Sequence, residues 1–188
     1  MKLLEEKIRK EGTVLPGDVL KVGSFINQQM DVPFLSLCAD ELVRLYEGEI
    51  ITKVLTVEAS GIGFACLVAE RLGVPALFAK KSKTSNMSGS CWSAPVASYT
   101  HGVTNTVMVP SDFLTSDDSV LIVDDFLATG SALKGLISLC GQAGAHVCGC
   151  GILIEKAYQN GGEEVRAMCR VESLARISKM SESGISFI

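Results

Sequence analysis

The chain has 188 residues, 47% of them hydrophobic and 20% charged, which suits one globular domain with a sizeable core. A formal charge of −4 and a pI near 5.2 argue against a general nucleic-acid or anionic-membrane binder, so an anionic ligand must be met by local groups. The opening Met1-Lys2-Leu3-Leu4-Glu5-Glu6-Lys7 alternates in charge and has no long apolar run, which predicts neither signal peptide nor membrane span and places the protein in the cytoplasm.

In chain order, the first 50 residues read as a charged helix, a short stretch around Val19 to Val22, an Asn27-Gln28-Gln29 segment, and a helix with Ala39, Leu42, Val43 and Tyr46 on one face. From residue 51 strands and helices alternate, with no repeat or linker between them. Lys53 to Glu58 reads as the first central strand. It leads through Ala59-Ser60-Gly61 into a helix carrying Ile62, Ala65, Cys66, Ala69 and Leu72 at helical spacing, with Ser60 as its N-cap and Gly73 and Pro75 as its stop. Ala76 to Ala79 is a second strand. The polar, serine-rich stretch between Lys81 and Val96 is too long for an idle connection and reads as a mobile lid. Val120 to Asp124 is a third strand. Leu133, Leu136, Ile137 and Cys140 then fall at i, i+3, i+4 and i+7 of a helix that ends near Gly141 and Gly144. His146 to Glu155 is a fourth strand, and another lies near Arg170 to Ile177. The expectation is an α/β fold with a mainly parallel central sheet flanked by helices. Residues 1–188 form one domain, with a core at about 51–169 and a small hood from about 1–50 plus 170–188.

Chemistry concentrates in Val120-Leu121-Ile122-Val123-Asp124-Asp125-Phe126-Leu127-Ala128-Thr129-Gly130-Ser131-Ala132. Four apolar residues mark a strand covered on both faces, and parallel sheets bind ligands at the C-terminal ends of such strands. Asp124 and Asp125 can accept hydrogen bonds from the two hydroxyls of a ribose. They can also hold a water-rich Mg²⁺ shell, which needs only one or two protein carboxylates. Thr129, Gly130, Ser131 and Ala132 present N–H groups and hydroxyls where a helix begins, a place for a phosphate. Glu58-Ala59-Ser60-Gly61 is a second strand-to-helix turn and so a second anion site. Lys80 and Lys81 add positive charge beside it, or form a solvated pair at a strand end. Gly61-Ile62-Gly63 invites a dinucleotide reading, but its third glycine position holds Cys66. The seven cysteines show no paired metal spacing. Cys148-Gly149-Cys150 would put two sulfurs on one face of a strand, yet lacks a second pair or nearby histidines, and the cysteines read as small buried hydrophobes. His101 and His146 stand alone and receive no role.

The thirteen residues 120–132 closely resemble the 5-phospho-α-D-ribose 1-diphosphate (PRPP) motif of the type I phosphoribosyltransferases. The resemblance implies that Asp124 and Asp125 bind the ribose hydroxyls, with Mg²⁺ held by them or through water. It implies further that Ala128, Thr129, Gly130, Ser131 and Ala132 wrap the 5′-phosphate, and that Ser60, Gly61, Lys80 and Lys81 meet the pyrophosphate. A flexible loop in the place of 81–96 would shield an oxocarbenium-like ribose centre from water. The hypoxanthine-guanine branch carries a further acid where this chain has Ala128, so proton transfer at the base is not assigned to the loop, and the adenine-like and xanthine-like branches fit better. Val14-Leu15-Pro16-Gly17-Asp18-Val19-Leu20-Lys21-Val22 and Asn27-Gln28-Gln29 extend the likeness to the xanthine-using group. By that likeness Leu20, Asn27 and Lys156 contact xanthine, the product is a purine 5′-monophosphate, and the protein is a homodimer. An ammonium at 156 can donate to the 6-oxo group that adenine lacks. The alternatives are a hypoxanthine- or guanine-preferring transferase and a non-catalytic PRPP-sensing regulator. Regulators of that kind usually carry a DNA-binding domain, and nothing before residue 50 is long or basic enough to supply one.

Overall fold

A computed structural model describes residues 1–82, 89–97, 104–181 and 183–188. Its centre is a six-stranded sheet built from β3 (Lys53–Val57), β4 (Ala76–Ala79), β7 (Ser119–Leu127), β8 (His146–Lys156), β9 (Val171–Ser181) and β10 (Gly184–Phe187) in the order β10-β9-β8-β7-β3-β4. All neighbours are parallel except β9 and β10. The fourfold apolar run of β7 is central, and Val120, Leu121, Ile122 and Val123 are fully buried. Helix α1 (Lys2–Glu11), α2 (Val32–Leu45) and α3 (Gly61–Leu72) cover one face, where Ile8, Leu42 and Phe64 meet Val54, Leu121 and Leu153. The other face is covered by α4 (Ser131–Ala143) and by the antiparallel hairpin of β5 (Cys91–Ala97) and β6 (Thr104–Pro110), with Leu136, Ala94 and Val107 packed on Leu55 and Ile122.

The connections decide where a ligand can sit. From β3 the chain crosses by α3 to β4 on one side, whereas β7 leads through α4 to β8 on the other, so the strand order reverses between β3 and β7. Crevices form at such reversals, outside the carboxyl ends of the strands. Pairing between β3 and β7 stops at Leu55–Ile122, while β7 stays paired with β8 as far as Leu127–Glu155. Past Ile122 the two strands therefore part, and the acids of β7 emerge beside the gap.

Several expectations change. The strand at 171–181 is not part of a separate hood but a full member of the main sheet, parallel to β8 from Cys150–Val171 to Lys156–Ile177. What stands beside the carboxyl edge is a small hairpin, β1 (Thr13–Leu15) and β2 (Val19–Lys21), followed by a π-helical turn at Gly23–Asn27. Of the expected lid, residues 83–88 lie outside the described residues, and so does His101. Its later part is the strand β5, with Ala94 buried and Ser93 and Pro95 exposed, and Trp92 Nε1 donates to the carbonyl of Leu114 at 2.9 Å. Ser60 sits at the N-cap of α3 but makes no side-chain cap hydrogen bond. The sulfurs of Cys148 and Cys150 do not share partners, because the β7–β8 register steps from Val120–Val147 to Leu121–Gly149 and leaves Cys148 as an extra residue. Cys148 Sγ meets Ser119 Oγ at 3.2 Å, and Cys150 Sγ meets Cys169 Sγ at 3.6 Å.

Candidate active site

Two helix starts open into the crevice. At the first, Ser60 and Gly61 begin α3, and at the second Gly130 precedes α4 with φ of 73°. Neither cap position supplies a side-chain hydrogen bond to the helix, and although the Ile62 N–H turns back to the Ala59 carbonyl at 3.2 Å, helix starts of this kind can offer first-turn N–H groups to an outside acceptor. Glycine at 130 takes the left-handed conformation that other residues adopt only at a cost. At Gly61 the need is for space: a Cβ there would lie 2.4 Å from Thr56 Oγ1 and 2.8 Å from Asp124 Oδ1. Thr129 Oγ1 and Ser131 Oγ are 3.1 Å apart, and either can donate to the other.

Between the helix starts lie Asp124 and Asp125, each 6% exposed. Asp124 Oδ1 accepts from the Asp125 N–H at 3.0 Å. Burial, reinforced by the neighbouring Asp125 charge, pushes the Asp124 carboxyl well above the usual carboxylate range; the Lys81 ammonium opposes the shift. The cleft around them has a volume of about 270 Å³, and Ser60, Lys81, Asp124, Asp125 and residues 128–132 all line it. The two lysines separate. Lys81 lines this cleft, and its N–H donates to Glu58 Oε1 at 2.6 Å. Lys80 lines another groove, beside Phe78, Met108 and Phe113, because successive residues leaving a strand point to opposite sides.

A second cleft of about 470 Å³ adjoins the first and is lined by Pro16, Gly17, Asp18, Leu20, Asn27 and Lys156, together with Phe126 and Ala128. Phe126 and Ala128 also line the first cleft, so the two share a wall. Lys156, at the end of β8, is 7% exposed and donates to the carbonyl of Asp18. Burial holds its ammonium below the ordinary lysine range, with the Asp18 carboxylate opposing. Asp18 has φ of 66°, and its carboxylate accepts from Gln159 Nε2 at 3.3 Å. The structure thus brings Leu20 and Asn27, from one short N-terminal stretch, together with the distant Lys156. Sequence reasoning missed Phe126, Asp18 and Gln159. For Asp18 the Pro16-Gly17-Asp18 turn signal was available, and for Phe126 only its place in the acid-bearing strand.

Among the described residues no three His, Cys, Asp or Glu side chains converge as a metal site. Two buried carboxylates beside one lysine suit a Mg²⁺ ion that takes most of its ligands from substrate oxygens and water.

A sheet that reverses its strand order beside two helix starts, with paired acids between them, presents places for two anionic groups and for the hydroxyls of a ligand lying between them. The model of the phosphoribosyl transferase domain matches residues 35–186, and the chain belongs to that family. It is 50% identical over 182 residues to a xanthine phosphoribosyltransferase of Lachnoclostridium phytofermentans, covering 96% of this chain and 94% of the relative. It is 48% identical to one of Lactobacillus gasseri over 189 residues, covering 100% and 98%. The adenine phosphoribosyltransferase of Trypanosoma brucei shares the fold at a TM-score of 0.80 and 18% identity, covering 96% of this chain and 82% of that one. The one from Rhodothermus marinus does so at 0.77 and 22%, covering 94% and 99%.

Proposed function

We propose that the protein is a purine salvage enzyme that joins xanthine to PRPP, giving xanthosine 5′-monophosphate and pyrophosphate. The observation that carries this reading is the wall of Phe126 and Ala128 shared by an acid-and-phosphate cleft and a lysine-bearing cleft. Sugar and base held in the two would meet across that wall. Full-length similarity to proteins named xanthine phosphoribosyltransferase supports the choice of base.

In this reading residues 128–132 hold the 5′-phosphate with first-turn N–H groups and the hydroxyls of Thr129 and Ser131. Asp124 and Asp125 accept from the ribose hydroxyls. Ser60 and Gly61 offer N–H groups to the pyrophosphate, and Lys81 neutralises charge that grows as it departs. Leu20 packs on the purine and Asn27 hydrogen-bonds its edge. Lys156 donates to the 6-oxo group, exchanging its bond to the Asp18 carbonyl for one to the substrate. The base nitrogen attacks C1 of the ribose as the pyrophosphate leaves, and no protein nucleophile is needed. Mg²⁺, which transferases of this family generally use with PRPP, would sit at Asp124 and Asp125, directly or through water, and supply charge neutralisation on the diphosphate.

A homodimer in the cytoplasm belongs to the same proposal. Phe78 and Phe113, 39% and 58% exposed beside the edge strand β4, offer an apolar surface to a second copy, and no helix among the described residues is long and apolar enough to cross a membrane. Sedimentation at several concentrations tests the dimer.

The deciding experiment is pyrophosphate release from PRPP and Mg²⁺ with xanthine, hypoxanthine, guanine and adenine offered separately. Fast release with xanthine is expected. Faster release with hypoxanthine or guanine would reassign the base, and PRPP binding without release for any base would make the protein a PRPP sensor.

A further inference from the structure

The loop at 128–130 is pressed from behind by an element that no substrate would touch. Helix α5 (Gly161–Arg166) begins with two glycines, a poor start for a helix unless something must come close. A Cβ on Gly161 would lie 2.2 Å from the carbonyl oxygen of Ala128, 2.2 Å from the carbonyl carbon of Thr129 and 2.5 Å from the nitrogen of Gly130. The contact is reciprocal, because a Cβ on Gly130 would lie 2.9 Å from the Gly161 carbonyl oxygen and 2.9 Å from Val165 Cγ2. Backbone rests on backbone across the whole turn.

The helix is itself pinned by Glu155, which is 1% exposed on β8, directly across from Leu127 on β7. Both oxygens of Glu155 are taken by the Arg166 guanidinium, Nη1 donating to Oε1 at 2.8 Å and Nη2 to Oε2 at 2.6 Å. Arg176 Nε adds a bond to Oε2 at 3.1 Å. Burial raises the Glu155 carboxyl, but the Arg166 hydrogen bonds, the Ser173 hydroxyl and the charges of Arg166 and Arg176 outweigh it and hold it below the usual carboxylate range. A Cβ on Gly162 would lie 2.3 Å from Glu155 Oε1, so the helix start is seated on the ion pair as well as on the loop. A bidentate guanidinium fixes distance and plane together, which a lysine cannot do.

We infer that Glu155, Arg166 and Gly161 are positioning residues for the phosphate loop, setting the spacing of the N–H groups at 129–131 to the shape of the sugar's 5′-phosphate. The inference rests on the reading that residues 128–132 hold that phosphate. A loop held this way binds without reorganising, and the affinity depends on the clamp although no clamp side chain meets the ligand. Lys156 follows Glu155 directly, so a disturbance that merely loosened this end of β8 would reach the xanthine site equally.

The test is calorimetric binding of ribose 5-phosphate together with steady-state KM values for PRPP and xanthine. The variants are Gly161→Ala, Glu155→Gln and Arg166→Lys, beside the double variant Thr129→Ala with Ser131→Ala. Clamp variants should weaken ribose 5-phosphate and raise KM for PRPP by about tenfold or more, with KM for xanthine within twofold. Arg166→Lys, which keeps the charge and loses the fork, covers the case in which Gly161→Ala does not fold. A lowered melting temperature with all three constants unmoved, or an equal rise in both KM values, would overturn the inference. If the Thr129 and Ser131 hydroxyls matter for ribose 5-phosphate and the clamp does not, the inference alone falls; if neither matters, the phosphate reading falls with it.

Discussion

Asp124 Oδ1 accepts the backbone N–H of Asp125 at 3.0 Å, and the two carboxylates are buried side by side at the open end of β7. That arrangement is expensive for the protein alone, since like charges crowd together away from water. In the proposed complex, ribose hydroxyls and a cation at the two acids would offset that cost. The cost is therefore a sign of a site built for binding rather than for stability.

Its pH dependence has a definite sign. Burial, then the Asp125 charge, raises the folded-state value of Asp124 above the unfolded value near 3.9. Below about pH 3.9 the group is neutral in both states and costs nothing. As pH rises, the unfolded chain releases the proton first and the folded state loses ground until its own higher value is passed. Asp124→Asn should therefore raise the melting temperature at pH 7, with the gain shrinking towards pH 4, while turnover falls by about 10²- to 10³-fold. Melting scans across that range check the sign; a gain that grows on acidification contradicts it.

Lys156 carries the corresponding cost for a cation. Burial lowers its folded-state value, so the ammonium is disfavoured relative to the unfolded chain at pH 7, and the penalty is relieved as pH rises past the folded value. Lys156→Met should keep or improve stability. It should lower kcat/KM for xanthine about 10- to 100-fold, the range for a lost hydrogen bond to substrate, while KM for PRPP stays within twofold. Equal losses for both substrates would remove the lysine from the base site.

The buried Tyr46 hydroxyl donates to the Cys150 carbonyl at 2.9 Å, joining α2 to the middle of β8. Tyr46→Phe leaves that carbonyl without its side-chain partner and should cost about 1 kcal/mol in urea unfolding. Activity should be unchanged, since neither residue lines a cleft. A fall in turnover would show that this face of the sheet communicates with the site.

Thiol chemistry should sort by environment. Burial pushes the Cys38 and Cys140 thiols up to about 12, whereas Cys66 is exposed on α3. A disulfide reagent added to native protein should modify the exposed Cys66 while leaving Cys38 and Cys140 intact, because a buried thiol is both shielded and slow to form the reacting thiolate. Mass spectrometry of the digest identifies the order, and early labelling of Cys38 or Cys140 would mean that the core opens.

The parts legible in the sequence were those whose meaning is local. The run from Val120 to Ala132 carries strand, acids and helix start within one stretch, and the Ser60-Gly61 turn repeats the logic. Extended pairing was not legible. That β9 joins the sheet at β8 depends on contacts between residues such as Cys150 and Val171, which no periodicity near 171 reveals. The strand β5 was hidden under serines, although Trp92, Ala94 and Val96 alternate with exposed Ser93 and Pro95 in the period of a half-buried strand. Lys80 and Lys81 looked equivalent because spacing alone does not say which of two neighbours faces a crevice. Leu20 and Asn27 came only by family likeness, since a leucine and an amide before a helix have no chemistry of their own to announce.

The matched family region begins at residue 35, yet the hairpin and π-helical turn that carry Leu20 and Asn27 lie before it, at residues 13–27. In the proposed reading two of the three base contacts come from this one short segment, while the acids and the phosphate loop stand at the carboxyl ends of the sheet strands. If Leu20, Asn27 and Lys156 hold the base as proposed, a graft replacing residues 13–27, with a compensating change at Lys156, is expected to alter the preferred purine while leaving KM for PRPP within twofold.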